Sequence, residues 1–235
     1  MAEDLASIKV KVGLVIQDVS SFIGTGANTE MESAIREGIE RYSTDAPREI
    51  VDDIAGDGST YDLTLPATYV DGFSRIVRIE YPAGARGATY VDGNEWTIYR
   101  TASTTALRLL TTTPGTGETT RVTFTSPHTL KDLDSATVTT IPLLHTHAFV
   151  NLCGAQCLFR MAARFIHEQE STLNADSVER GSKTDQARRL AGTLLRAYQE
   201  QVGISGGERP ASVNRDWDAR LHRGYGGLTH RGRDI

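Results

Sequence analysis

Four side chains with metal or nucleophile chemistry crowd one short stretch: His145, His147, Cys153 and Cys157. A structural zinc site draws on loop-spaced pairs, commonly with two to four residues between cysteines and a second pair elsewhere. Here all four lie on or beside one apolar run that reads as a helix. At about 100° per residue, His145 and His147 point roughly 200° apart and do not converge. Cys153 and Cys157 share one face, as buried free thiols commonly do. Core packing or capping is the expectation, with no metal. Two cysteines make no disulfide framework and suit a reducing interior.

The acids Asp52, Asp53, Asp57 and Asp62 look like a calcium loop at first sight. Aligned from Asp53, Gly58 falls on the glycine position and Asp57 on the fifth, but Ala55 fills the third and Thr64 the bidentate position. A solvated turn fits better. Gly24-Thr25-Gly26 and Gly115-Thr116-Gly117 lack the remaining glycine, or the Gly-Lys-Ser/Thr ending, of a phosphate loop. Gly-x-Ser-x-Gly spacing occurs at Gly203–Gly207, but after a predicted helix and not as the strand-to-helix elbow of a serine hydrolase, and no His-Glu-x-x-His occurs. Acids are abundant, yet nothing singles out a pair for glycoside cleavage. No catalytic residue and no cofactor is expected.

The elements that carry these residues change character three times along the 235-residue chain. Residues 4–46 read as helical. Leu5, Ile8, Val12, Val15, Ile16 and Val19 fit helical spacing, although Ile8, Val10 and Val12 also alternate. Asn28 or Thr29 can cap a second helix with Glu30 and Glu32 in its first turn and a stripe of Met31, Ile35, Ile39 and Tyr42; Pro47 ends it. Residues 48–130 read as β. The alternating sets are Tyr61, Leu63 and Leu65; Val77, Ile79 and Tyr81; Trp96 and Ile98; Leu107 and Leu109; Val122 and Phe124. Turn signals separate them at Asp57-Gly58, Pro82 to Gly84, Asp92-Gly93 and Pro114-Gly115. Asp92-Gly93-Asn94 predicts a hairpin of Tyr90-Val91 with Trp96-Thr97. Five to seven short strands suggest a small sandwich or barrel.

Residues 141–202 return to helix, with Pro142 in the first turn. Leu143 to His167 is apolar nearly all round, with a narrow polar stripe at Gln156, Arg160, Arg164 and His167, which marks a central helix. Glu168 to Gly181 is polar and reads as a loop. A last helix follows, with Ser182 and Asp185 as a capping pair and Ala187, Leu190, Ala191, Leu194, Leu195, Tyr198 and Val202 on its inner face. Gly203 is a stop signal. The charge-free run from Ser135 to Phe159 has the length of a membrane span, but Pro142, His145, His147, Asn151 and Gln156 interrupt it, so no membrane contact is expected. The start, MAEDLASIKV, shows no signal peptide.

A net charge of −5 and a pI near 5.7 argue against a dedicated nucleic-acid binder. Lysine is confined to Lys9, Lys11, Lys131 and Lys183, so arginine, suited to forked interface contacts, carries most of the positive charge. The segment 203–235 is rich in glycine and arginine, with six arginines, four acids and the aromatics Trp217 and Tyr225. Alone it cannot bury enough apolar surface to offset its ordering entropy, so any order it takes up comes from a partner. Its interleaved acids disfavour nucleic acid and favour a docked interaction arm, with Arg209, Arg215, Trp217, Arg220, Tyr225 and Arg231 as the expected contacts.

Several runs resemble the head-to-tail adaptor (connector or neck) proteins of tailed bacteriophages. They are Ile16-Gln17-Asp18, Ala34-Ile35-Arg36-Glu37-Gly38, Ala46-Pro47, Tyr61-Asp62-Leu63-x-Leu65-Pro66 and Ile76-x-x-Ile79-Glu80-Tyr81-Pro82. Asp176-Ser177-Val178-Glu179-Arg180-Gly181-Ser182-Lys183 resembles the run that opens the last helix of such proteins. The resemblance covers about residues 5–202. It implies a structural virion protein, made in the bacterial host cytoplasm and incorporated at the head–tail junction. Copies would form a homo-oligomeric ring of about twelve beneath the portal. The C-terminal arm would reach the portal protein, a stopper or tail-completion protein would dock on the other side, and DNA would pass without specific binding. Twelve copies at −5 each would carry about −60, which repels phosphate.

The expected fold is α+β: a core of about four helices (1–46 and 131–202), an inserted antiparallel β-sandwich or barrel (47–130) and an extended C-terminal arm (203–235). The expected function is head-to-tail adaptor. The alternatives are another virion component, such as a tail terminator or minor capsid protein, and a β-sandwich carbohydrate- or receptor-binding module. Surface clustering of Tyr90, Trp96 and Tyr99 would favour the binding module.

Overall fold

The Asp4 carboxylate accepts the Ser7 N–H at 2.8 Å and starts helix α1 (Leu5–Ile16). The computed structural model describes residues 3–17, 23, 29–85, 87–101, 104–169 and 177–204. Helix α1 buries Leu5, Ile8, Val12 and Ile16 and leaves Val10 outside, so the helical period prevails over the alternation. Helix α2 (Glu30–Asp45) has Thr29 at its N-cap and buries Met31, Ala34, Ile35 and Tyr42. Ile39 is partly buried beside them. A 3-10 turn (Leu143–His145) leads into α3 (Thr146–Gln169), which packs against α1, α2 and α4 (Ser177–Val202). Its stretch from Ala148 to Leu158 is buried almost throughout, as befits a central helix. Pro142 stands just before the turn rather than inside it.

The last helix differs from expectation at its start. It begins at Ser177, so Ser182 lies inside it and does not cap it, and residues 177–181 are helical rather than looped. A polar run carries no period to betray a helix, and lengthening an existing helix needs no new nucleus. Thr184, Ala187, Ala191 and Tyr198 are buried on its inner face. Leu190, expected on that face, is exposed instead. Gly203, at φ +79°, ends the helix: its N–H reaches Glu200 O and that of Ile204 reaches Gln199 O, the two bonds of a Schellman motif.

Between the helix pairs lie two three-stranded antiparallel sheets. One is ordered β1 (Arg48–Ala55), β6 (Thr119–Ser126), β3 (Ile76–Glu80). The other is ordered β2 (Asp62–Thr64), β5 (Thr105–Leu109), β4 (Trp96–Arg100). Ile79, Val122 and Phe124 from the first sheet meet Leu63, Leu107 and Leu109 from the second in one apolar cluster, so the sheets face each other as a small sandwich.

Two strand expectations are corrected. Ile76 pairs with Phe124 and Arg78 with Thr123, which leaves Val77 as the extra residue of a bulge. The bulge turns Val77 outward while Ile79 stays in the core. The predicted hairpin of Tyr90-Val91 with Trp96-Thr97 does not form. Tyr90 bridges Glu80, and Val91 donates to Ile79 O at 3.0 Å, whereas Trp96–Arg100 pairs with β5. The turn closes, with Glu95 N–H on Asp92 O at 2.9 Å, but it carries the chain from one sheet to the other. A turn signal specifies a change of direction and not the strands that pair.

The segment after β6 returns to the helices. Leu130 and Leu133 are buried in the helical cluster. Leu5 donates its N–H to Lys131 O at 3.1 Å.

Candidate functional site

The sequence-selected chemistry disperses in space. Cys153 and Cys157 are both buried, and neither is in a disulfide. Burial, with Cys157 beside it, pushes the Cys153 thiol well above its ordinary range, so it is held as an inert thiol. His145 Nδ1 lies 2.6 Å from the Tyr42 hydroxyl, while His147 is exposed. Among the described residues no three of His, Cys, Asp and Glu stand together as metal ligands would. Asp57 accepts the backbone N–H groups of Ser59 and Thr60, each at 2.8 Å, and these hold its carboxyl down at about 2. The Asp57-Gly58 and Pro114-Gly115 turns lock together: Gly58 donates to Pro114 O at 3.1 Å and Thr116 Oγ1 to Asp57 O at 3.0 Å. That second contact is what the Gly115-Thr116-Gly117 run supplies. Gly24-Thr25-Gly26 lies outside the described residues.

What remains is surface, in three places. The first is apolar. On α1 Val10 and Leu14 are 64% and 72% exposed; on the 3-10 turn Leu143 and Leu144 are 71% and 92% exposed. A groove of about 420 Å³ is lined by Leu14, Val15, Leu143 and Val150, with Glu3 and Lys11 paired at its edge. Sequence reading assigned Leu143 and Leu144 to the buried helix, because periodicity cannot separate a core start from an exposed lead-in.

The second is an aromatic–arginine stack on the outer face of the β2–β5–β4 sheet. The Arg108 guanidinium lies 3.5 Å from the Tyr99 ring centre and 4.9 Å from that of Tyr61. Asp62 grips it with two bonds, 2.6 and 2.7 Å, which raises the guanidinium's affinity for its proton further and depresses the Asp62 carboxyl. Tyr61 thus turns out at the entry to β2 instead of joining Leu63 inside. The outward Asp62–Arg108 pair was legible, because both residues take the parity opposite to Leu63, Leu107 and Leu109; the outward turn of Tyr61, two residues from Leu63, runs against that parity.

The third is a groove of about 570 Å³ on the outer face of the β1–β6–β3 sheet, lined by Asp52, Asp53, Arg78, Glu80, Tyr90 and Arg121. Arg121 pairs with Asp53 at 2.7 Å and lies 3.6 Å from Glu80. Tyr90, Trp96 and Tyr99 form no common patch. Tyr90 lies by Arg78 on one sheet, Tyr99 by Arg108 on the other, and Trp96 packs against the sandwich core.

Arg209, Arg215, Trp217, Arg220, Tyr225 and Arg231 lie outside the described residues. No helix among the described residues is long and apolar enough to cross a membrane. No protein-family model and no curated protein matches the chain.

Proposed function

We propose that this chain is a structural virion protein, a head-to-tail adaptor that assembles as a ring beneath the portal and lets DNA pass. The observation that carries the proposal is the exposure of Val10, Leu14, Leu143 and Leu144 on the helical core, with Leu14 and Leu143 lining one groove. Apolar residues grouped at this density on a surface mark a protein contact. Further support is the order of elements: a helix pair, a β insertion and a second helix pair, as the resemblance implies. The run Ser177–Lys183 opens α4, where the resemblance wants it. Ala34–Gly38 lies on α2 where that helix meets α3. Subunits would also meet through the exposed faces of residues 29–44 and 183–202, and the arm 203–235 would engage the portal.

Native mass measurement tests this on the purified chain, alone and mixed with the portal ring of the same virion. A closed ring, or a co-complex with the portal, is the expected outcome. A chain that never associates with a portal, and instead binds sugar as a monomer, would sink the proposal.

A further inference from the structure

Among the described residues strand β1 has an open edge. In its sheet β6 stands in the middle, with β1 and β3 on either side. Thr125 gives its N–H to Arg75 O at 2.9 Å, on the β3 side. Its partner across the β1 ladder, Glu49, therefore aims its own N–H and C=O away from β6. Gly56 donates inward to Glu118 O at 2.8 Å, which fixes the same alternation at the other end. The backbone groups of Glu49, Val51, Asp53 and Ala55 thus face outward. Among the described residues no backbone group pairs with them, and only the Asp53 N–H is taken, by the Asp52 carboxylate at 2.9 Å. The opposite edge of the sheet is closed: Val91 donates to Ile79 O and Tyr81 to Thr89 O, both at 3.0 Å.

Exposed edges are ordinarily blunted by lysine, proline, a bulge or other charge. β1 holds its register with β6 without a break over all eight residues and contains neither lysine nor proline. Val51 stands 54% exposed at mid-strand. Its protection is acidic, with Glu49, Asp52 and Asp53 against Arg48. Arg121 neutralises Asp53, while Glu49 and Asp52 have no ion-pair partner among the described residues. Such an edge rejects its own copy. Antiparallel pairing about Val51 would set Glu49 opposite Asp53 twice, and in-register parallel pairing would set each acid beside itself. It does not reject a basic strand.

We propose that β1 is a docking edge for an extended segment of another protein that carries arginine or lysine at alternate positions. The segment would add as a fourth strand, its backbone bonding to Glu49, Val51 and Ala55 and a cation on its outer face meeting Glu49, which shares that face with Val51. This stands independently of the adaptor reading.

The test uses the full chain and a fluorescein-labelled octapeptide of alternating arginine and valine, followed by anisotropy. Saturable binding is expected, at least about tenfold weaker when alternate peptide N–H groups are methylated, because two or three backbone bonds are lost. Val51→Pro should weaken binding similarly, since the Val51 N–H faces outward and the β6 ladder is spared. Glu49→Lys should shift preference toward a matching octapeptide of alternating glutamate and valine, which keeps the test open should the proline variant misfold. Three results overturn the proposal: no binding of the arginine peptide, equal binding of the methylated peptide, or a wild-type dimer in sedimentation that Glu49→Lys or Val51→Pro dissociates.

Discussion

His128 is the most constrained titratable side chain at the joint between the sandwich and the helices. Its Nε2 lies 2.9 Å from Ala46 O, and its Nδ1 lies 3.1 Å from Thr140 O and 3.2 Å from Thr140 Oγ1. Ser43 Oγ accepts its backbone N–H at 2.9 Å, and the Tyr42 ring stacks at 4.8 Å. A neutral ring satisfies this cage, with Nε2–H donating to Ala46 and Nδ1 accepting from the Thr140 hydroxyl. Burial pushes its pKa below the ordinary 6.5, with Arg48 and His145 adding to the fall and the two carbonyls opposing it. As pH drops below about 6.5 the unfolded chain takes up this proton before the folded one, so stability falls with falling pH until the folded value is passed. The expected slope from this group is at most about 1.4 kcal/mol per pH unit. Urea unfolding between pH 7.5 and 5 should show that slope in the wild type and less of it in His128→Gln. Equal slopes would mean that His128 does not titrate in this window. The sequence had no means of singling out His128, because its three hydrogen-bonding partners come from 12 to 85 positions away. The divergence of His145 and His147 was legible, because it depends only on helical pitch.

The seam between α2 and α3 is held at both ends by different physics. At one end Arg160 donates to Glu30 O at 2.9 Å, to Ser33 Oγ at 3.1 Å and to Glu37 Oε1 at 2.6 Å. Arg160, from the polar stripe on α3, is therefore a fastening and not a solvent-facing side chain, a distinction that periodicity alone does not make. Arg160→Ala should cost about 1–2 kcal/mol, read as a fall in the urea midpoint at unchanged m-value. At the other end Gly38 lets the helices close in, since a Cβ there would come 2.8 Å from Cys153 Sγ. Alanine gains up to about 1 kcal/mol in helix propensity, but overpacking a filled core costs about 1–3 kcal/mol. Gly38→Ala should thus destabilise, and adding Cys153→Ala should recover much of the loss in a double-mutant cycle. Additive effects would show that the two sites are not coupled. Elements with a period, such as α1, α2 and β5, were legible from sequence. The bulge at Val77 and the sheet change after Val91 were not, because both depend on which strand lies alongside.

At the scale of the molecule, the order helix, sandwich, helix was legible because each stretch keeps one hydrophobic period long enough to declare itself. The end of the core was legible nearly to the residue. Gly203 closes α4, and Ile204 both completes the Schellman pair and packs against the helical cluster. Helix α4 therefore ends at a defined place, and two truncations there distinguish fold from attachment. A chain ending at Ile204 keeps its cap and should unfold at the wild-type urea concentration. A chain ending at Val202 loses both bonds and the Ile204 contact and should be less stable by about 1 kcal/mol. Under the adaptor proposal both should fail to co-sediment with portal rings, because both lack Arg209, Trp217 and Tyr225. Portal attachment that survives in the chain ending at Ile204 would refute the arm as the docking element and move the search to the exposed Val10, Leu14, Leu143 and Leu144. Loss in the shorter chain alone would mean that attachment depends on the Gly203–Ile204 cap and α4 and not on the arm.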